Sequence, residues 1–226
     1  MSDSINELNE IIAAVKSYIE LEKESGIDEY MFASMRKGHA PQKAMPPITL
    51  DALKKEVSGC KSCGLHKTRL NVVFGAGDPK ARLMFIGEAP GHEEDIQGLP
   101  FVGRAGQLLT KIIEAMGYKR EDVYIANILK CRPPDNRAPL PTEILACADN
   151  VKRQVEAIRP KVICTLGKFA SQTLLKTETP ITALRGKFCE YNGIKVMPTF
   201  HPAYLLRNPQ DKKLVWEDMQ KIKREL

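Results

Sequence analysis

Residues 82–89 have the sequence RLMFIGEA, an apolar run of strand length that ends in a glycine and a carboxylate. Three later stretches share this character: VYIANILK (123–130), KVICTLG (161–167) and KVMPTFH (195–201). Short apolar runs without polar alternation are typical of parallel strands that are buried on both faces of a sheet. The four runs therefore predict a central four-stranded parallel sheet.

Amphipathic stretches separate or follow these runs, at AGQLLTKIIEAMG (105–117), TEILACADNVKRQVEAI (142–158) and KFASQTLLK (168–176). Strands that alternate with helices predict an α/β fold, here a three-layer αβα arrangement around the parallel sheet. Ligands of such sheets bind beyond the carboxyl ends of the strands. Those ends carry Gly87 to Gly91, Asn127 to Cys131, and His201, so we expect the functional site at this one edge.

The first 47 residues have a different pattern. Apolar residues at helical spacing predict an amphipathic helix over residues 4–24, and the Pro-rich segment 36–47 predicts a linker. We therefore expect a helical extension over 1–47 and the main domain over 48–226. The helix either packs on that domain or docks to a partner, and packing is favoured. The start has no pattern of a secretory signal, and no run of about 18 apolar residues occurs, so we expect a cytoplasmic protein that does not span a membrane.

The formal charge of +6 is unevenly distributed along the 226 residues. Residues 1–47 hold 5 basic and 8 acidic side chains, whereas residues 48–226 hold 29 basic and 20 acidic ones. A basic domain favours a polyanionic partner such as nucleic acid, although a basic enzyme without one has the same composition.

Four of the six cysteines have a spacing that suggests a metal centre. Cys60 and Cys63 are separated by two residues, which allows both thiolates to bind one centre. Cys131 and Cys147 complete the set if the sheet brings them beside the first pair. Spacing alone leaves zinc, a 4Fe–4S cluster and no metal open. Cys164 lies within the apolar run 161–167 and Cys189 within the alternating segment KFCEY (187–191), and both are expected to be structural.

Three polar residues near strand ends could carry chemistry. Glu88 could orient water, although a carboxylate after a Gly/Pro turn also serves as a helix-start acid. Asn127 offers an amide that matches the donor and acceptor groups of uracil, although such an amide also crosslinks loops. His201 ends the last strand, where a histidine is more often structural than catalytic. The segment after it, HPAYLLRNP (201–209), predicts a loop that exposes apolar residues beside a cation, or one that folds onto the core.

Taken together, these motifs resemble those of the family 4 uracil-DNA glycosylases, the iron–sulfur branch of that superfamily. The resemblance covers about residues 57–226 and does not extend to residues 1–47. The matching motifs are GEAPGHEED (87–95), PFVGRAGQLL (100–109), NILKCRPPDNRAP (127–139), LRGK (184–187) and HPAYLLRNP (201–209).

The resemblance implies a structural 4Fe–4S cluster held by Cys60, Cys63, Cys131 and Cys147. It implies a uracil pocket whose members are Glu88, Ala89, Pro90, Glu94, Phe101, Asn127 and His201. Within it, Phe101 matches the aromatic residue that stacks on the flipped base, and Glu94 matches the position that crowds C5 and rejects thymine. Glu88, Asn136 and His201 are the implied catalytic residues. The implied DNA-contacting residues are Tyr204, Leu205, Leu206 and Arg207.

The expected reaction is hydrolysis of the bond between uracil and deoxyribose in DNA, single- or double-stranded, by a monomeric enzyme without strand cleavage. His201 would stabilise the charge on uracil O2, and Glu88 would position the water. The alternative is a non-enzymatic iron–sulfur or zinc protein that binds nucleic acid. Such a protein would share the cysteines and the charge, but it would not need Phe101, Asn127 and His201 in one pocket.

Overall fold

The computed structural model describes residues 49–226, together with Lys16. The predicted helix at 4–24 and linker at 36–47 lie outside the described residues, so the predicted domain boundary stays a prediction. Within the described part, no helix has the length and apolarity needed to cross a membrane. The strands are β1 Ala76–Gly77, β2 Leu83–Gly87, β3 Tyr124–Asn127, β4 Val162–Leu166, β5 Cys189–Tyr191 and β6 Ile194–Thr199.

The sheet has the order β1-β3-β2-β4-β6-β5. Its four inner strands are parallel and correspond to the four predicted runs. The predicted fold class is confirmed, but within residues 49–226 the sheet has six strands, because β1 and β5 pair antiparallel at its two edges. These edge strands have only two and three residues, none of them fully buried. They therefore lack the apolar run by which a buried strand is found in a sequence.

Alternate residues of β2 and β3 pack on opposite faces of the sheet, as the period of a strand requires. Met84 and Ile86 contribute to one apolar core, which also includes residues of the helices α4 (Pro141–Ile158) and α5 (Lys168–Leu175). Leu83 and Phe85 contribute to a second core on the other face, with the helices α3 (Arg104–Ala115) and α8 (Lys212–Glu225). The three-layer prediction is therefore confirmed. The remaining helices are α1 Leu50–Ser58, α2 His92–Gln97, α6 Ile181–Leu184 and α7 Pro202–Arg207.

A buried ion pair fixes the carboxyl end of β6. Asp218 on α8 is fully buried and pairs with the guanidinium of Arg185, a residue of the LRGK motif. Thr199, the last residue of β6, donates its hydroxyl to Asp218 at 2.6 Å. Buried carboxylates need such partners to offset their lost hydration. This contact holds the end of the strand that leads directly into His201.

Candidate active site

An open pocket of about 530 Å³ lies beyond the carboxyl ends of β2, β3 and β6. Its lining brings together the side chains that the sequence places at the ends of these strands. All seven residues expected at uracil line it, together with Asn136, Tyr204 and Arg207 of the other predicted sets. The complete lining consists of Glu88, Ala89, Pro90, Gly91, Glu94, Phe101, Ala105, Asn127, Pro133, Asn136, Arg137, His201, Ala203, Tyr204 and Arg207.

Asn127 is the last residue of β3 and is only 1% exposed. Its backbone pairs with Gly87 of β2, and a Cβ atom at Gly87 would collide with the Asn127 Oδ1 atom. Within residues 49–226, this Oδ1 is buried without a hydrogen-bond partner. An unpaired buried polar atom costs about 1–3 kcal/mol, and most such atoms in proteins have a partner. An amide left unpaired in a pocket lining can therefore pair with a ligand.

Phe101 adopts a left-handed backbone conformation, with φ of 52°. That region costs a residue other than glycine on the order of 1–3 kcal/mol, and such strain is concentrated at functional sites. The ring fits closely over Gly87, where any Cβ atom would collide with it. Its centroid lies 5.6 Å from that of the His201 ring. Phe101 thus forms an aromatic wall of the pocket between Asn127 and His201.

The carboxylate of Glu94 is held by three backbone N–H groups. Oε1 accepts from Val102 and Gly103, each at 2.9 Å, and Oε2 accepts from Gly91 at 3.1 Å. Glu94 therefore lines the pocket and also fixes the segment that carries Phe101. The expectation that it crowds C5 of the base stays a prediction.

His201 caps the amino end of α7. Its Nδ1 accepts from the backbone N–H of Ala203 at 3.1 Å, so the neutral ring carries its proton on Nε2. Burial, together with the nearby charge of Arg207, lowers the pKa of His201 to about 4, although the charge of Glu94 acts in the opposite direction. The imidazole is therefore neutral near pH 7 and can act as a hydrogen-bond donor in the pocket.

Glu88 follows β2 and is half-buried. Burial raises the pKa of its carboxyl group above the ordinary value. A raised pKa makes a carboxylate a better proton acceptor, which suits a group that orients or activates water.

Asn136 lies at the pocket rim and is exposed. Its backbone has φ of 54°, and its Oδ1 accepts from Arg132 Nε at 2.8 Å. The side chain of Arg132 also contacts His92 Nδ1 at 3.1 Å. The amide oxygen of Asn136 is thus already paired, whereas its amide nitrogen is available to a ligand. Its catalytic role stays a prediction.

The prediction of a loop over 201–209 is wrong, since Pro202–Arg207 form the short helix α7 and a 3₁₀ turn follows. Leu205 is 1% exposed and packs in the core, so its expected contact with DNA is not compatible with this conformation. Tyr204 packs on Phe200, with ring centroids 4.8 Å apart. Leu206 and Arg207 are exposed, and they remain the candidates for DNA contact.

A second, small cavity is lined by Cys60, Cys63, Cys131 and Cys147. The first two follow α1, the third follows β3 and the fourth lies on α4. The fold thus brings together the four cysteines that were expected to lie close to one another. Within residues 49–226, no group of three or more His, Cys, Asp or Glu side chains is arranged to hold a metal ion.

Three donors point at these sulfur atoms. Arg69 Nη1 donates to Cys131 Sγ at 3.1 Å, the Lys130 backbone N–H to Cys147 Sγ at 3.4 Å, and Asn150 Nδ2 to the same sulfur at 3.6 Å. Hydrogen bonds to cysteine sulfur stabilise thiolates that ligate metal centres. The donor set therefore fits a thiolate-bound group in this cavity.

Comparison with known proteins identifies the family. The family model described as the uracil DNA glycosylase superfamily matches residues 74–220. Type-4 uracil-DNA glycosylase of Saccharolobus solfataricus is 50% identical over 186 residues, which are 78% of this chain and 86% of that protein. This chain belongs to the type-4 uracil-DNA glycosylases.

Two further type-4 uracil-DNA glycosylases show the same extent of similarity. The Archaeoglobus fulgidus protein is 47% identical over 182 residues, which are 77% of this chain and 92% of that protein. The Thermotoga maritima protein is 46% identical over 178 residues, which are 77% of this chain and 93% of that protein. The family predicted from the motifs is thus confirmed for most of the chain.

Sequence reasoning missed Arg120, whose guanidinium contacts the Phe101 segment at the carbonyl of Pro100. Arg120 lies nineteen positions after Phe101, in a 3₁₀ turn without a recognisable motif. Only the path of the chain brings the two together, so no local signal could have identified the contact.

Proposed function

We propose that this enzyme hydrolyses the N-glycosidic bond of a deoxyuridine flipped out of DNA, which releases uracil and leaves an abasic site. The single observation that carries this proposal is the unpaired, buried Oδ1 of Asn127, in a pocket shared with Phe101 and His201. Membership of the type-4 family supports the same reaction.

Recognition of the base follows from the amide of Asn127. Its Oδ1 accepts from uracil N3–H, and its Nδ2 donates to uracil O4. Cytosine presents the reverse pattern, with an acceptor at N3 and a donor at N4, so it leaves both groups of the amide unpaired. Phe101 stacks on the flipped base, which offsets part of the few kcal/mol that unstacking costs.

Departure of the base develops negative charge on uracil O2 and positive charge on the sugar. The Nε2–H of neutral His201 stabilises the charge on O2, an effect of about 3–4 kcal/mol for one well-placed donor. The carboxylate of Glu88 offsets the positive charge on the sugar and orients the water that attacks C1′. Among residues 49–226, the lining of the pocket contains no lysine that could form a Schiff base.

A uracil-containing oligonucleotide tests this function. Purified enzyme should release free uracil and leave alkali-labile abasic sites, whereas the matched thymine oligonucleotide should stay intact. Tight binding of both oligonucleotides without release of a base would instead support the alternative of a non-enzymatic nucleic-acid-binding protein.

DNA contact is assigned to the exposed residues of α7. Arg207 lines the pocket mouth, and Leu206 beside it is 43% exposed. We infer that Arg207 holds a phosphate next to the flipped nucleotide, while Leu206 enters the space that the base leaves.

Arg207→Ala should weaken DNA binding and flatten its salt dependence. One lost phosphate contact lowers the slope of log K against log salt by about 0.9 on duplex DNA. Lys195→Ala is a suitable control, because it removes the same charge at the amino end of β6, opposite the pocket, from a lysine paired with Glu225 at 2.6 Å. Titrations at several salt concentrations measure both slopes, and equal slopes for the two variants would exclude the phosphate contact.

The second proposal is a 4Fe–4S cluster held by Cys60, Cys63, Cys131 and Cys147. Support comes from their common cavity and from the three donors that point at two of the sulfur atoms. Such a cluster links α1, the segment after β3 and α4, and so contributes to the stability of the fold. The proposed reaction proceeds without any redox change at this group.

The protein should be yellow-brown and contain about four irons per chain. Cys147→Ala should abolish the colour and lower the melting temperature, because one ligand and its bridging role are lost. Cys164→Ala is the matched control, since Cys164 is also buried but lies within β4, outside the cavity. Metal analysis of anaerobically purified protein decides the question. Stoichiometric zinc without iron, or unchanged iron in Cys147→Ala, would contradict the cluster.

A cytoplasmic location and a monomeric state are further proposals. Analytical ultracentrifugation with and without DNA tests the second.

A further inference from the structure

The segment that carries Phe101 is attached to the rest of the protein on both sides of that residue. Immediately after Phe101, the N–H groups of Val102 and Gly103 donate to Glu94 Oε1 at 2.9 Å each. Immediately before it, the carbonyl of Pro100 accepts from Arg120 Nη2. The only backbone torsion pair between these anchors belongs to Phe101 itself, at φ of 52°.

Arg120 is well placed to act as a rigid anchor. Its other nitrogen, Nη1, donates to Thr110 Oγ1 at 3.2 Å, and Thr110 in turn donates to the Gly106 carbonyl at 3.1 Å. The guanidinium therefore bridges α3 and the Phe101 segment, a planar two-point contact that lysine cannot reproduce. Arg120 is half-buried, so this contact is only partly open to competition from water.

The backbone of Phe101 is also confined from a third side. A Cβ atom at Gly106 would collide with the Phe101 carbonyl, so this carbonyl packs directly against the first turns of α3. With both flanks anchored and one face against a helix, Phe101 cannot relax to the right-handed region without breaking these contacts. Strained conformations persist only where the surroundings over-determine them in this way.

We propose that Arg120 is a positioning residue for the reaction, which acts with Glu94 to hold Phe101 in the strained conformation that places its ring in the pocket. The inference rests on the proposed function, because the value of a fixed ring lies in stacking on the flipped base. A preformed wall spares the enzyme the cost of ordering the segment each time a base enters. Arg120 itself does not touch the substrate.

A double-mutant cycle tests whether Arg120 acts through Phe101. Arg120→Met keeps the aliphatic stem and removes the donors, and it should lower the single-turnover efficiency of uracil excision about 10-fold, the order of one lost base stack. Phe101→Ala should cause a similar loss. In the Phe101→Ala background, Arg120→Met should cost less than about 2-fold, because the ring that it positions is already absent.

The variants are compared at equal enzyme concentration and below their melting temperatures. Arg120→Lys keeps the charge but donates to fewer acceptors in fixed geometry. Its single-turnover efficiency of uracil excision should therefore lie between those of wild type and Arg120→Met. Arg153→Met is the control for the loss of a paired arginine, because Arg153 contacts Glu56 through two hydrogen bonds of 2.6 Å. The Arg153→Met variant should excise uracil as efficiently as wild type.

Multiplicative losses in the double variant, or an Arg120→Met enzyme as active as wild type, would overturn the proposal. If Arg120→Met also had a lower melting temperature than wild type and the losses were multiplicative, the role of Arg120 would be general stability of the fold instead. Failure of the proposed function is a separate result, because wild-type enzyme would then release no uracil.

Discussion

Replacement of His201 by alanine should slow single-turnover excision of uracil by about 100- to 1000-fold and leave DNA affinity nearly unchanged. The donor is needed only when negative charge develops on uracil O2, so its loss affects the chemical step and not the encounter with DNA. Measurement of the maximal single-turnover rate and of the half-saturating enzyme concentration separates these two effects.

His201→Ala also removes the cap of α7, which alone costs about 0.5–2 kcal/mol of stability. His201→Asn resolves this ambiguity. Asparagine is a good capping residue and can accept from the N–H of Ala203, but its side chain is too short to reach the position of Nε2. We expect His201→Asn to be nearly as stable as wild type and as slow as His201→Ala. Recovery of activity in His201→Asn would show that the cap, not the donor, is what the reaction requires.

The ionisation of His201 provides an independent check. The folded protein lowers its pKa from 6.5 to about 4, so the unfolded chain binds a proton at higher pH than the folded one. The contribution of this group to stability is therefore complete above about pH 6.5 and is lost as the pH falls towards 4. NMR titration of the imidazole should place its midpoint near 4, and a midpoint near 6.5 would contradict the effect of burial on this ring.

The parts of the fold that could be predicted from the sequence are those whose burial requires a pattern of apolar residues. The inner strands are buried on both faces, so RLMFIGEA and its three counterparts show as continuous apolar runs. The edge strands β1 and β5 are short and partly exposed, so neither shows an apolar run. The partner of β1 is β3, which lies far along the chain. By contrast, β5 is joined to β6 by the two-residue turn Asn192-Gly193, an Asn-Gly hairpin signal that the search for apolar runs did not use.

The candidate site, like the fold, was predictable from the sequence only in part. Asn127 and His201 could be placed together because both follow parallel strands, whose carboxyl ends share one edge. The segment 201–209 was misassigned because proline and asparagine signal a loop, whereas proline also fits the first turn of a helix, as Pro202 does here. The left-handed conformation of Phe101 depends on Glu94 and Arg120, contacts that only the assembled fold creates.

Replacement of Asn127 by leucine should produce the second large effect, with activity and stability changing in opposite directions. Leucine has nearly the same shape but no polar atoms, so it leaves both N3–H and O4 of a bound uracil unpaired. At about 1–3 kcal/mol for each unpaired group, excision should slow by about 30- to 25,000-fold. The single-turnover efficiency on a single-stranded uracil substrate measures this loss without the cost of opening a duplex.

The stability of Asn127→Leu should be unchanged or higher than that of wild type. The Oδ1 atom is already buried without a partner in the free protein, so its removal relieves a cost and breaks no hydrogen bond to Oδ1. Natural enzymes commonly carry such a cost at the residues that bind substrate. Denaturant unfolding of the two proteins gives the sign of the difference.

Thr165→Val provides the matched comparison, because Thr165 is also buried near the carboxyl end of a strand but its hydroxyl is paired with Ser171 at 2.9 Å. That change should destabilise the fold and leave uracil excision largely intact, the reverse of the result expected for Asn127→Leu. If Asn127→Leu proved less stable than wild type by a similar amount, the amide would be satisfied in solution by the protein or by water. Its unpaired oxygen would then no longer argue for recognition of the base, and the assignment of the pocket would depend on Phe101 and His201 alone.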